Sequence, residues 1–473
     1  MTRSDALQNS YLLKKLSEIV GAENVFASIE DRLAYAYDAT PMLETAPLAA
    51  VRPVSVEHVQ ALLHLANSEG FAVIPRGAGT GLSGGSIPVE RSLVLLFPSW
   101  NRILEIDQEN LTAWVEPGVI AADLHAAVEA AGLFYPPDPG SMKVCTIGGT
   151  VAENSGGLRG LKYGVTKDYV MGLEVILPTG ELLRVGNKCV KDVAGFSFKE
   201  LFIGSEGTLG IFTKILLQLI PRPATSKTLL ALYDDMQKAA ATVSAIIAAR
   251  IIPCTLEFLD ATTIRCVEDF AHVGFPTDTE ALLLIEVDGH PAAVADEFEK
   301  VQVLCRKQGA REIQIAKDAA EADKLKTARR SAFSALARVR PTTILEDVTV
   351  PRSQVATMLQ KIRDVGKKYK VTFGNFGHFG DGNLHPTCLT DERDHDEIHR
   401  VEKAFEEVFQ IAIDLGGTIT GEHGVGLSKK KFLEKVAGPA GVELMRKIKH
   451  VLDPNNILNP GKIFDAKPRC EAF

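Results

Sequence analysis

Residues 75–88, PRGAGTGLSGGSIP, set five glycines, two serines and a threonine between two prolines, and no other stretch restricts the fold as strongly. Glycine opens positive φ and lets successive N–H groups approach a ligand, and such a run of N–H groups forms an anion-binding concavity. Apolar Phe71 to Ile74 reads as a buried strand that delivers the loop, and Leu93 to Phe97 as the strand that leaves it. A loop so placed is built to hold a diphosphate. Gly79 to Gly84 also matches G-x-G-x-x-G, the phosphate turn of nicotinamide-binding folds, but that turn must open a helix, and Gly84-Gly85-Ser86-Ile87-Pro88 is poor helix material. A mobile linker does not fit either, because short apolar strands enclose the loop.

At 473 residues the chain calls for two or three domains. Its net charge of -8 and lack of a basic stripe argue against a nucleic-acid partner, and Lys429-Lys430-Lys431 reads as a solvated helix face. The start, with Asp5 and Glu18 and no continuous apolar run, shows neither a secretory nor a mitochondrial signal, and no apolar run approaches the ~20 residues of a membrane span. The expectation is a cytoplasmic protein, any membrane association being peripheral and through partners. Seven cysteines without a C-x-x-C pair exclude an ordinary zinc ribbon or iron–sulfur cluster carried by this chain, and read as buried thiols.

In chain order, residues 11–20 have helical spacing, and Ser55 caps a helix bearing Val59, Leu62, Leu63 and Ala66 that ends at Gly70. A strand at 113–115 and a helix at 121–131 follow, closed by Gly132. Tyr135 to Gly164 is a second glycine-rich stretch, with Gly148-Gly149, Gly156-Gly157, Asn154 and Ser155. Two such segments about sixty residues apart suit a large ligand with a diphosphate and a polar ring. A hairpin at 173–185 and a third glycine turn, Gly204 to Gly210, complete this part. From Thr228 short strands alternate with helices: 229–232, 236–249, 255–259, 282–287, 291–307 and 312–315 read as β-α-β-β-α-β, a ferredoxin-like unit.

A second constellation follows the strand ending at Phe376. His378 and His385 stand seven apart across a glycine-rich loop, and Glu422-His423 lies in another, GTITGEHG. Two histidines and a carboxylate suit a divalent zinc, manganese or iron ion with open positions. The competing reading is surface loops that merely contain histidine, as His395 and His399 do on a helix surface; the glycine framing favours a site. Asp381 and Asn383 read as turn residues or supports of the ligands.

With these motifs, PRGAGTGLSGG (75–85), PPDPGSMKVCTIGGTVAENSGG (136–157), GSEGTLGIFT (204–213), GHFGDGNLHP (377–386), GEHGVG (421–426) and LNPGKIF (458–464), the chain resembles the flavin-dependent 2-hydroxy-acid dehydrogenases of the vanillyl-alcohol-oxidase-like superfamily, in particular the branch acting on glycolate and D-lactate. The resemblance spans nearly the whole chain. It implies an α+β protein: an N-terminal helical segment (1–45), a two-part FAD-binding domain of the PCMH type (46–222), a substrate or cap domain with a ferredoxin-like core and a metal site (223–415), and a C-terminal segment returning to the flavin (416–473).

The resemblance also implies FAD held at its diphosphate by Arg76, Gly77, Ala78, Gly79, Thr80 and Gly81, with further contacts from Pro139, Thr146, Gly149, Asn154, Ser155, Ile211 and Asn459. Relatives that bond flavin covalently carry a histidine in or just after the glycine loop. Thr80 and Gly81 stand there, so FAD is expected to be non-covalent. His378, His385 and Glu422 become metal ligands, His423 the general base, and Arg329 the clamp for the substrate carboxylate, with Arg330 as the alternative. The implied reaction lowers the substrate hydroxyl pKa at the metal, passes its proton to His423 and moves a hydride from C2 to flavin N5, leaving a 2-oxo acid. Phe333 and Leu345, where relatives acting on 2-hydroxyglutarate look to place polar or basic groups, favour a small monocarboxylate. Two alternatives stand beside this reading: a D-2-hydroxyglutarate dehydrogenase, and a flavin electron-transfer subunit of a larger complex. Electrons would leave to an iron–sulfur subunit, a second flavoprotein or another acceptor.

Overall fold

In the computed structural model, which describes residues 3–465, the glycine loop leaves a small sheet whose two inner strands are buried on both faces. Ala49–Val51, Ser92–Leu96 and Ala72–Arg76 run parallel, and Val25–Phe26 joins one edge antiparallel. All five residues of Ser92–Leu96 are buried, as a parallel strand covered on both sides requires. Helix Val56–Glu69 covers this sheet. Ser55 Oγ accepts from His58 N at its start and Gly70, at φ 70°, ends it, as the spacing predicts. Leu12 and Leu16 of helix Arg3–Val20 pack into the same core.

Five antiparallel strands form the second sheet, in the order Ile103–Asp107, Thr112–Val115, Ile211–Gln218, Val170–Ile176 and Leu182–Gly186. Helices Ala121–Ala130 and Ile147–Glu153 close its core, where Leu124, Val128, Ile147 and Val151 are buried.

The third sheet has eight strands, all paired antiparallel. Its first four, in the order Glu312–Ile315, Thr225–Tyr233, Ala281–Gly289 and Thr255–Asp260, have the strand arrangement of the expected ferredoxin-like unit. Two features go beyond the sequence reading. Helix Ala261–Ala271 intervenes between strands read as consecutive; Asp260 caps it by accepting from Thr263 N, and it buries Ile264 and Val267. The sheet also continues through Thr372–His378, Asn383–Thr390 and Thr342–Leu345, so the histidine hairpin is part of the sheet rather than an appendage.

Helix Lys430–Leu452 is kinked at Gly438, ahead of Pro439, and the chain then returns to the glycine-loop strand. Val73 N donates to Ile457 O and Asn459 N to Val73 O. Buried Lys449 fixes this return by donating to Thr208 O, Leu458 O and the Asp453 carboxylate. No described helix is long and apolar enough to cross a membrane. Cys145, Cys254, Cys305 and Cys388 are buried, Cys266 is half-buried and Cys189 is exposed, so the expectation of buried thiols fails at Cys189; Cys470 lies outside the described residues.

Candidate active site

The glycine loop is held open from behind. Thr40 Oγ1 accepts from Gly84 N at 2.7 Å, and Asp38 Oδ2 takes the N–H and hydroxyl of Ser86. A Cβ at Gly77 would stand 2.3 Å from Thr146 Oγ1, and Gly79 has φ 71° beside the Arg76 guanidinium, so neither position admits a side chain. Arg76 is buried, burial depresses its pKa, and Nη1 has no hydrogen-bond partner. A buried cation left unpaired beside a concave run of N–H groups fits a diphosphate.

Arg76, Gly77, Ala78, Gly79, Thr80, Gly81, Pro139, Thr146, Gly149, Ser155 and Ile211 line one cavity of about 690 Å³. Asn154 and Asn459 stand apart from that lining. Asn154, left-handed at the end of its helix, accepts from Lys167 N. Asn459 donates to Gly85 O and Glu206 O, binding the glycine loop to the third glycine turn. Glu206 in turn accepts from Val425 N and Gly426 N, which ties the loop of His423 to the same body.

Arg329, His378, His385, Glu422 and His423 line the same cavity. Strand register explains their meeting. In the histidine hairpin Phe376 faces His385 and His378 faces Asn383, so His378 and His385 project from one face, with ring centroids 5.2 Å apart. Glu422 Oε1 then lies 3.1 Å from His378 Nε2 and 3.2 Å from His385 Nε2. Burial works to raise the Glu422 carboxyl, but the two imidazoles outweigh it and hold it well below the usual range.

Two groups among the described residues have ligand atoms close enough for one cation: His378, His385 and Glu422, and Asp347, His385 and His423. In the second the carboxylate is already engaged, while His385 Nδ1 and His423 Nδ1 have no hydrogen-bond partner. Asp347 Oδ2 accepts from Thr420 Oγ1, Gly421 N, Glu422 N and His423 N at 2.6 to 3.0 Å, and Oδ1 accepts from Asn383 Nδ2. All three members of the first line the cavity, as Asp347 of the second does not, and two imidazoles and one carboxylate suit a divalent metal.

His423 stacks on His385 with centroids 5.0 Å apart. Burial, partly offset by Asp347, pushes its imidazole down to about 4, so near pH 7 it is neutral, and a weaker base than an ordinary imidazole. Arg329, in the last turn of helix Ala319–Arg330, is buried over the Phe376 ring, and neither its Nε nor its Nη2 has a hydrogen-bond partner, so its contact with Glu257 is an ion pair. Its Nη2 is 2.6 Å from Glu257 Oε2. Arg330 also reaches the cavity, but its Nη2 donates to Asp138.

Sequence reasoning missed Glu257, Asp347 and Glu206. A detectable signal existed for two of them: a carboxylate inside an apolar strand or at its end, as in TLEFLD and TILEDV, must find partners when buried. Lys429 corrects the reading of a solvated triple-lysine face. It is 1% exposed and 3.4 Å from Glu346 Oε2, and only Lys430 and Lys431 reach outer partners, Asp465 and Glu406.

Residues 47–186 match the family model described as FAD binding domain, and residues 222–463 that of FAD linked oxidases, C-terminal domain. The chain is 54% identical over 461 residues to a protein named glycolate oxidase subunit GlcD from Bacillus subtilis (strain 168), covering 97% of this chain and 98% of that one. It is 35% identical to a D-lactate dehydrogenase of Archaeoglobus fulgidus, covering 91% and 95%. Among solved structures, p-cresol methylhydroxylase with substrate bound superposes with a TM-score of 0.81 at 20% identity over 98% of both chains. A 4-ethylphenol oxidase from Gulosibacter chungangensis gives 0.79 at 19% identity over 99% of both, and at this identity both speak to the fold alone. Two family models in series over the glycine-loop half and the histidine half, with full-length relatives on both sides, make the chain an oxidoreductase that belongs to the FAD-linked oxidases.

Proposed function

We propose that this protein oxidises a small 2-hydroxy acid, glycolate or D-lactate, to the 2-oxo acid, with non-covalent FAD as first electron acceptor and a divalent metal at His378, His385 and Glu422. The observation that carries this reading is that one cavity is lined by the glycine loop, a two-histidine, one-carboxylate set, a neutral buried imidazole and a buried arginine. When bound, FAD supplies a two-electron acceptor, and the metal supplies a Lewis acid for oxygen.

The chain's own residues do the rest. Arg329 offers its free Nε to the substrate carboxylate, while Phe376 beneath its guanidinium fixes the plane of the fork. His423 accepts the hydroxyl proton at Nε2, the ring nitrogen 3.8 Å from Glu422 Oε1. Phe333 and Leu345 limit the length of the acid and keep water out. Arg330 is tethered by Asp138, a carboxylate it shares with Arg159, which holds it beside the clamp as the alternative carboxylate partner. Residues 46–222, 223–415 and 416–473 are the working units, holding FAD, holding metal and substrate, and closing the site. Relatives that carry the name subunit support a partner chain, and the reading takes that partner to be an electron acceptor, an iron–sulfur or second flavoprotein subunit.

Anaerobic mixing with glycolate, D-lactate, L-lactate and D-2-hydroxyglutarate, followed by bleaching of oxidised flavin, tests this directly. Rapid bleaching by glycolate or D-lactate is expected. Bleaching by 2-hydroxyglutarate alone refutes the role of Phe333 and Leu345. No bleaching by any of these acids with metal supplied favours a role in electron transfer.

A further inference from the structure

Glu257 takes no place among the donors that face the cavity, yet it touches two of the groups that do. Its side chain is fully buried in the central strand Thr255–Asp260, between the strands Ala281–Gly289 and Thr372–His378. The register sets it directly opposite His378, and its Oε1 lies 2.7 Å from His378 Nδ1. Its Oε2 lies 2.6 Å from Arg329 Nη2, which comes from a separate helix. A buried carboxylate so placed is a weak source of stability, because desolvation opposes the attraction of its partners. Nor does it belong to the metal set, since it occupies the Nδ1 side of His378 while Nε2 faces Glu422.

We infer that Glu257 is a positioning residue that holds the metal-ligating imidazole of His378 and the substrate-binding guanidinium of Arg329 in one frame. Accepting the Nδ1 proton fixes the tautomer that leaves the Nε2 lone pair free for a cation. Holding Nη2 aims the remaining edge of Arg329 at the cavity. One carboxylate thus sets the distance between the point where the substrate's carboxylate is bound and the point where its oxygens meet the metal. This inference rests on the metal and substrate roles proposed above.

The test compares wild type, E257Q and R329K, stripped by chelator and titrated with cobalt(II), with KM then measured at saturating metal. A glutamine has one acceptor for two donors, so one partner must turn away. E257Q is expected to weaken cobalt(II) binding about 10- to 100-fold, as loss of a carboxylate behind a metal-bound histidine does, and to raise KM at least about tenfold. R329K is expected to raise KM with cobalt(II) affinity unchanged. If E257Q does not fold, E257D keeps the charge but is too short to reach both partners and is expected to shift both quantities. A wild-type protein that takes up no cobalt(II) overturns the metal reading of the site, and the shared frame falls with it. Cobalt(II) bound equally well by wild type and the variant, or a change in only one of the two quantities, overturns the role of Glu257 alone. So does a loss of thermal stability with both quantities unchanged.

Discussion

Asp347→Asn is the sharpest probe of how the candidate site is assembled. The carboxylate is fully buried, and Oδ2 alone accepts four hydrogen bonds, three of them from the consecutive N–H groups of Gly421, Glu422 and His423. The loop that carries Glu422, the proposed metal ligand, and His423, the proposed base, is therefore wrapped around one anion. Hydrogen bonds to a charged acceptor are worth roughly 1 kcal/mol more than neutral ones. Four bonds give an upper bound of about 4 kcal/mol; because they share one oxygen and the amide carbonyl still accepts, about 2–3 kcal/mol is expected. Losing the charge also lowers the basicity of His423, which Asp347 supports electrostatically. If this loss falls on the transition state, kcat/KM drops about 30- to 150-fold. The assay is dye-coupled turnover of glycolate or D-lactate, with bound FAD measured by its absorbance, since the glycine loop is braced separately by Asp38 and Thr40. A variant retaining FAD and kcat/KM within about threefold of wild type would refute the argument.

Other substitutions probe other links. His423→Ala should slow anaerobic flavin reduction by about 10²- to 10⁴-fold with FAD still bound; an unchanged rate removes it as the base. Arg329→Ala should lower kcat/KM at least about 30-fold through loss of the carboxylate partner, also leaving Glu257 without its cation; if instead Arg330→Ala has that effect, the clamp is the neighbouring arginine. Glu153 is held well above the ordinary carboxyl value of 4.5 by burial, then by Glu206 and Asp38. A raised carboxyl stabilises the fold below its unfolded value and loses that contribution as pH rises toward the folded one. Apoprotein E153Q should therefore gain Tm relative to wild type as pH rises from about 4.5 toward neutrality, and a Tm difference that stays constant over that range contradicts the assignment.

Much of the fold can be read locally because its signals are local. Ser55 and Gly70 bracket a helix since an oxygen acceptor and a residue tolerant of positive φ are what helix ends need. The strands beside the glycine loop, and the alternation after Thr228, follow from apolar runs short enough to be strands. Helix Ala261–Ala271 escaped because its apolar stripe, Ile264 and Val267, is thin and begins right after a strand, within the cap residue Asp260. His378, His385, Glu422 and His423 could be nominated from glycine-framed motifs, whereas their supports could not. Glu257 is 121 residues from His378, and Asp347 is 76 from His423.

The sequence by itself determined the chemical vocabulary of this protein: a glycine loop able to hold a diphosphate, two histidines and a carboxylate able to hold a metal, and a chain of strands and helices able to carry both. Tertiary structure decided which of these groups share a cavity and which donor set lines it. It made Asp347, which no sequence motif singled out, the anchor of a loop, and turned Lys429 from a solvated cation into a buried one. The reason is physical. Residue type and spacing specify hydrogen-bonding capacity and backbone freedom, but whether a lone pair is free or spent depends on partners that only strand register and the packing of distant segments bring within 3 Å.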